Sequence, residues 1–112
     1  MRLVIVESPW RGDTEHNFLY GIACLRDSIC RGESPYASHL YLTLALDDTN
    51  AEERDLGIRC GYAWWRAASL IAFYTDLGWS QGMIAAHYRA RSYGIRVEER
   101  SIEGHLYRVD AT

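Results

Sequence analysis

Apolar positions along this chain fall into two kinds of run, short and continuous or spaced at helical intervals, and their alternation sets out an order of elements. LVIVES (Leu3 to Ser8) is a short stretch rich in β-branched residues and bounded by Pro9, which reads as a central parallel strand. Phe18, Leu19, Ile22, Leu25 and Ile29 then recur at helical spacing, with Asp13 or Thr14 as the cap, Glu15 in the first turn and Gly32 as the stop. SPYASHLYLTLAL (Ser34 to Leu46) is mixed: a short strand near Tyr36 and Ala37, a Ser-His loop, then a segment of ambiguous period. DDTNAEERD opens a second helix capped by Asp48, Thr49 or Asn50, with Leu56, Cys60, Ala63, Trp64 and Ala67 as its inward stripe. LIAFYTD (Leu70 to Asp76) is a second apolar strand, and a third helix runs from about Ser80 to Tyr93 before Gly94 stops it. IRVEERSI supplies a last strand whose alternation places it near one edge. The tail after Glu103 reads as either loose or docked on a partner.

The order β-α-β-α-β-α-β predicts an α/β protein: a small flavodoxin- or Rossmann-like three-layer sandwich on a four-stranded, mainly parallel sheet, formed by residues 1–112 as one domain. A hydrophobic content of 48% with 24% charged residues fits a globular core. The net charge of −3, with arginine and acid interspersed and no basic tract, argues against nucleic acid as the main partner. No apolar run approaches the ~18 residues of a membrane span, and the N-terminus enters a strand instead of a signal peptide, so a cytoplasmic location is expected. Cys24, Cys30 and Cys60 form no CxxC pair and are expected to be reduced, Cys24 and Cys30 beside the core. His16, His39, His87 and His105 lack metal-ligand spacing, so neither a metal nor a cofactor is expected. All 12 basic residues are arginine, which removes Schiff-base chemistry and a P-loop lysine together.

In such a sheet the strand ends bring SPWRGD, SHL (Ser38 to Leu40) and TDLGWSQGM (Thr75 to Met83) to one edge, where open α/β sheets bind ligands. From the first loop the candidate ligand-binding residues are Ser8, Pro9, Trp10, Arg11, Gly12, Asp13 and Asn17. The second contributes Ser38 and His39, the next helix start Asp48, and the last loop Asp76, Gly78, Trp79, Ser80, Gly82 and Met83. Arg11 and the helix N-termini at Asp13 and Ser80 suit phosphate, Trp10 and Trp79 suit a stacked base, and Asp48, Asp76 or Glu53 suit ribose hydroxyls. Simpler uses stand beside these: Asp13 and Ser80 as caps, the glycines as turns, the indoles as lids over the sheet. Trp64 and Trp65 point about 100° apart on a helix, so one of them is left near the surface as a subunit contact. A homo-oligomer is expected.

With these loops laid out, the chain resembles the nucleoside 2-deoxyribosyltransferase-like proteins, above all their short members in phages and bacteria. The resemblance runs from Arg2 to about Ser101 and rests on SPWRGDTEHN, ASHL, DDTNAEERDLGIRCGYAW and TDLGWSQGM in that order. It implies a pocket for a nucleotide-like small molecule. Enzymes of that family cleave or exchange an N-glycosidic bond with a glutamate that attacks C1′ from the start of the third helix, in a pattern like G-M-E-L-G-Y-A. The matching stretch here is Gly82-Met83-Ile84-Ala85-Ala86-His87-Tyr88, with Ile84 where the acid should stand. Losing the nucleophile while keeping the pocket implies binding without turnover of an ADP-ribose-type or cyclic nucleotide, which in a phage setting would be a sponge for an immune signal. The alternative is a nucleotide N-glycosidase or deoxyribosyltransferase whose acid has moved to Asp76 or Glu53, with His87 as a general base. A regulatory subunit with an empty cleft is the third reading.

Overall fold

A computed structural model describes residues 1–102. The elements are β1 (Leu3–Glu7), α1 (Thr14–Cys30), β2 (Ser34–Tyr36), α2 (Ser38–Ala45), α3 (Ala51–Ala63), a 3-10 turn (Trp64–Ala67), β3 (Leu70–Tyr74), α4 (Gln81–Ser92) and β4 (Val97–Arg100). The strands form one sheet in the order β2-β1-β3-β4, and every neighbouring pair is parallel. This is a small Rossmann- or flavodoxin-like α/β sandwich, with β4 on an edge as its alternation suggested. Beside β1 the register pairs Val4 with Leu70 and Glu7 with Phe73. The chain leaves β1 toward β2 on one side and β3 toward β4 on the other, so β1 and β3 flank the point where the order reverses.

Side chains of a strand alternate between faces, and the two cores follow that period. Val4 and Val6 enter a core with Tyr20, Ala23 and Cys24 of α1 and Leu40 of α2. Ile5, Ile71 and Phe73 enter the other, with Trp65, and with Met83, Ala86 and Ala90 of α4.

Helix caps follow the sequence closely. The side chains of Asp13, Asn50 and Ser80 accept backbone N–H groups at the starts of α1, α3 and α4. The faces do not. α1 buries Tyr20, Gly21, Ala23, Cys24, Asp27 and Ser28 against the sheet, while Leu19, Ile22 and Ile29 of the expected inward stripe are exposed, Leu19 by 56%. Small residues let the helix approach closely: a Cβ on Gly21 would stand 2.7 Å from Leu40 Cδ2. Cys24 is buried, but Cys30 is exposed.

Ser38 to Ala45 is helix, not the expected Ser-His loop, because Ala37 and Leu40 are buried and draw this segment onto the core. On α3 the expected inward stripe is likewise overturned: Leu56 and Trp64 are exposed, and Gly61 is the buried residue of the helix. The chain tightens into the 3-10 turn at Trp64, which swings Trp65 inward to 4% exposure, edge-on to Tyr62 at 4.8 Å. Trp64 stays outside against Tyr36.

One buried polar network spans the sheet. Arg100 of β4 donates to both Glu33 oxygens at 2.7 and 2.8 Å and to the Tyr74 hydroxyl at 3.1 Å. Tyr74 in turn donates to Asp27 of α1 at 2.7 Å, and Ser28 donates to Glu33 at 2.8 Å. Among the described residues no enclosed side-chain polar atom lacks a partner, and no helix is long and apolar enough to cross a membrane. The tail after Glu103, and His105 within it, lie outside the described residues.

Candidate functional site

The end of β1 sets the site. Because Val4 and Val6 point to one core and Ile5 to the other, Glu7 falls on the face of Ile5, one step past the last apolar position. There the helices no longer cover the sheet, and Glu7 opens into a cleft of about 550 Å³ at the reversal point between β1 and β3. That volume is ordinary for a small-molecule site, roughly 300–1,000 Å³.

The first loop supplies Ser8, Trp10 and Arg11 to the cleft. Its shape is held from behind. Asn17 donates from its amide nitrogen to the carbonyl oxygens of Trp10, at 2.9 Å, and Arg11, at 3.1 Å. Gly12 has φ +99°, a left-handed conformation that a side chain would strain. Asp13 accepts from the His16 N–H as the helix cap. Pro9, Gly12, Asp13 and Asn17 therefore shape the loop and do not line the cleft, contrary to expectation.

Ser38 and His39, from the first turn of α2, also line it. Ser8 Oγ and His39 Nε2 are 2.8 Å apart, and the Trp10 ring meets His39 edge-on at 6.3 Å. Burial pushes the His39 imidazole down to about 4, so it is neutral near pH 7.

The third loop divides. Ser80, Gln81, Gly82, Met83 and Ala85 line the cleft, with Ser80 Oγ accepting from the Met83 N–H at 3.1 Å. Asp76 does not reach it: its carboxylate accepts from Tyr20, Ser101 and the Ile102 N–H, which pins the chain leaving β4. Gly78 turns the loop at φ +90°. Trp79 packs on Phe73 at 5.1 Å and on His87 at 5.5 Å, so both Trp79 and His87 stand outside the cleft. Ile84, at the position where a nucleophile was expected, is 44% exposed and also outside, so an acid there would not face a ligand in the cleft.

α3 forms the far wall. Asp48 and Arg54 stand at its head, and Ile58, Gly61 and Tyr62 follow, with Trp65 beyond. Arg54 and Tyr62 are eight positions apart, about 12 Å along the axis. Glu53 lines a smaller adjoining recess of about 100 Å³ and accepts from the Asp47 N–H at 2.9 Å.

Two charges differ in kind. Arg11 is solvent-exposed. The Glu7 side chain makes no hydrogen bond or ion pair with any described residue, and burial alone pushes its carboxyl up to about 8, so it is mostly neutral at pH 7. Tyr62 is pushed up by burial and, secondarily, by the Glu7 charge, while the Arg89 guanidinium lies 3.9 Å over its ring.

The sequence does not single out Glu7, Arg54, Gly61, Tyr62, Trp65 or Gln81 as residues of the cleft. Glu7 had a usable signal, since a lone acid closes an otherwise apolar parallel strand at its C-terminal end. Tyr62 and Trp65 had none, because the docking of α3 is a tertiary matter.

The cleft is thus a pocket with guanidiniums, a neutral imidazole–hydroxyl pair, aromatic walls and one unpaired carboxyl. No curated protein and no solved structure matches the chain. One family model does, a domain of unknown function (DUF7768), over residues 2–100, from just before β1 to the last residue of β4. That span covers nearly the whole chain and every element that builds the cleft: the protein belongs to the DUF7768 family.

Proposed function

We propose that the protein binds a nucleotide-derived small molecule in this cleft and holds it intact. The observation that carries the reading is the division of the cleft along α3. Arg54 stands at the head of the helix, Tyr62 lies about 12 Å further on and Trp65 beyond it, on the Glu7 side of the sheet. A ligand with an anionic group at one end and a flat heterocycle at the other fits that order, and guanidiniums grip phosphate in bidentate fashion. The resemblance of SPWRGDTEHN and TDLGWSQGM to the nucleoside 2-deoxyribosyltransferase-like proteins points the same way. The ligand class extends to ADP-ribose-type and cyclic nucleotides, which a phage protein would sequester as immune signals. The exposed indole of Trp64 supports the companion expectation of a homo-oligomer, and sedimentation showing only a monomer would remove it.

Glu7 favours a second reading, an N-glycosidase or deoxyribosyltransferase with a relocated acid. Asp76 is committed elsewhere, but the Glu7 carboxyl faces the cleft. A carboxyl that is neutral near pH 7 can protonate a leaving base, whereas attack on C1′ requires the ionised form. One experiment separates the two. The protein is incubated with nucleotides and ADP-ribose derivatives, filtered off and denatured, and both fractions are chromatographed. A compound depleted from the filtrate and returned intact on denaturation supports sequestration. Free base accumulating beyond one per subunit identifies an enzyme.

A further inference from the structure

Among the carboxyl groups of the cleft, Glu7 stands apart. Ser8 and His39 bond each other, Ser80 caps α4, and Asp48 faces Arg54 at 4.0 Å. The Glu7 side chain has no partner among the described residues, although it closes a strand whose preceding residues on that face are apolar. An unpaired carboxyl in such a place contributes nothing to folding. It shares the cleft with Tyr62 and Trp65 from the far wall and Met83 from α4, while Phe73, its register neighbour on β3, lies buried beneath. This is an aromatic slot with hydrogen-bonding capacity at its floor.

We propose that Glu7 reads the edge of the ligand's heterocycle, pairing its two carboxyl oxygens with a ring nitrogen and an adjacent exocyclic amine, the edge that adenine and cytosine carry. The inference rests on the nucleotide-binding reading above and names which nucleotides the cleft prefers. A carboxylic acid offers an O–H donor beside a C=O acceptor, complementary to an acceptor beside a donor. A ring nitrogen takes the O–H bond better than a carbonyl oxygen does, because it is the stronger base, so uracil and guanine make the weaker pair. The pairing needs one proton, and it is lost once Glu7 ionises. Glutamine presents the same donor–acceptor pair at every pH, as amide side chains do when they read adenine.

Charged and titratable groups around Glu7 are Tyr62 on α3 with Arg89 of α4 over its ring, Arg11 on the first loop, His39 on α2, and Asp48 with Arg54 at the head of α3. His87 packs on Phe73 at 5.4 Å, the register neighbour of Glu7. The Glu7→Gln variant removes the contribution of Glu7 and leaves all of these in place.

The test is calorimetric titration of AMP, CMP, GMP and UMP into the full chain at pH 7 and pH 9, using wild type, Glu7→Gln and Glu7→Ala. Circular dichroism checks that each variant is folded. Wild type should prefer AMP and CMP about tenfold at pH 7, the value of one well-formed base pair contact. Its affinity for them should fall about tenfold by pH 9, as the neutral fraction of a carboxyl at about 8 falls. Glu7→Gln should keep the preference and lose the pH slope, and Glu7→Ala should lose both. A preference surviving in Glu7→Ala, a slope surviving in Glu7→Gln, or a preference for GMP or UMP overturns the inference and leaves nucleotide binding standing. If none of the four binds wild type at either pH, the binding reading falls and this one with it.

Discussion

Replacing Glu33 by glutamine should unfold the protein more readily than any change in the cleft. Glu33 and Arg100 are each 2% exposed at the side chain and meet through two bonds of 2.7 and 2.8 Å, with Ser28 and Arg2 completing the carboxylate. Glutamine keeps the shape but removes the buried counter-charge, leaving the guanidinium only the partly exposed Glu98 carboxylate, 2.9 Å from its Nε. Removing one member of a buried pair costs about 3–5 kcal/mol. A second route gives a similar size. The Arg100 bonds hold the Glu33 carboxyl down to about 2, against an ordinary 4.5, so the fold favours its charged form by about 3 kcal/mol. For a domain of this length that is roughly 12 °C in Tm. Scanning calorimetry and urea unfolding at pH 7 measure it. Because the pKa is depressed in the fold, the contribution is complete above about 4.5 and is lost as pH falls toward 2. The gap between wild type and variant should therefore close in acid. The double variant Glu33→Met with Arg100→Met should recover much of the loss, since no buried charge is left unmatched. A loss below about 1 kcal/mol at pH 7, or a gap that persists at pH 2, would refute the reasoning.

Three further outcomes follow from the cleft. Asn17→Ala removes both bonds to the Trp10 and Arg11 carbonyls and should cost about 1–2 kcal/mol in urea unfolding, with faster amide exchange between Trp10 and Asp13. Gly61→Val places a Cβ 2.6 Å from Ser38 Oγ, which forces α2 and α3 apart; about 1–3 kcal/mol of stability should go, read as a lower urea midpoint. If the cleft binds nucleotides as proposed, Arg11→Ala should weaken that binding about tenfold and flatten its salt dependence while leaving Tm unchanged, since the solvent-exposed guanidinium would meet phosphate and packs on nothing the fold needs.

What was legible in the sequence was whatever depended on neighbouring residues. Two continuous apolar runs gave β1 and β3, and Asp13, Asn50 and Ser80 stood where side chains could cap, so the parallel sheet and the starts of three helices followed. Faces were harder. On α1 the large apolar residues Leu19, Ile22 and Ile29 outrank Ala23, Cys24 and Asp27 on any hydrophobicity scale, yet the smaller set lies inward. Asp27 tolerates burial because Tyr74 donates to it from 47 positions away, a partner no local pattern reveals. The same limit governed the cleft. Ser8, Trp10, Arg11, Ser38, His39, Ser80, Gly82 and Met83 stand near strand ends in the sequence and Asp48 at a helix start, and the structure brings them together. Tyr62 and Trp65 were missed because the position of α3 depends on α2, which its mixed pattern concealed. Asp76 was placed in the pocket because it follows β3, but Tyr20 and the chain beyond β4 had a prior claim on it.

The far wall of the cleft is a helix of 13 residues with a single buried position, and that residue is a glycine. Such a segment shares little of the apolar burial that makes β1 and β3 the last parts to open. α3 therefore belongs to the lower rungs of the protein's ladder of local opening. Its amides should exchange well ahead of those in the sheet, and the floor of the site keeps its form while the wall comes and goes. A ligand bridging Arg54 and Tyr62 to the end of β1 would tie that wall down, so occupancy should register first as slowed exchange in residues 51–63.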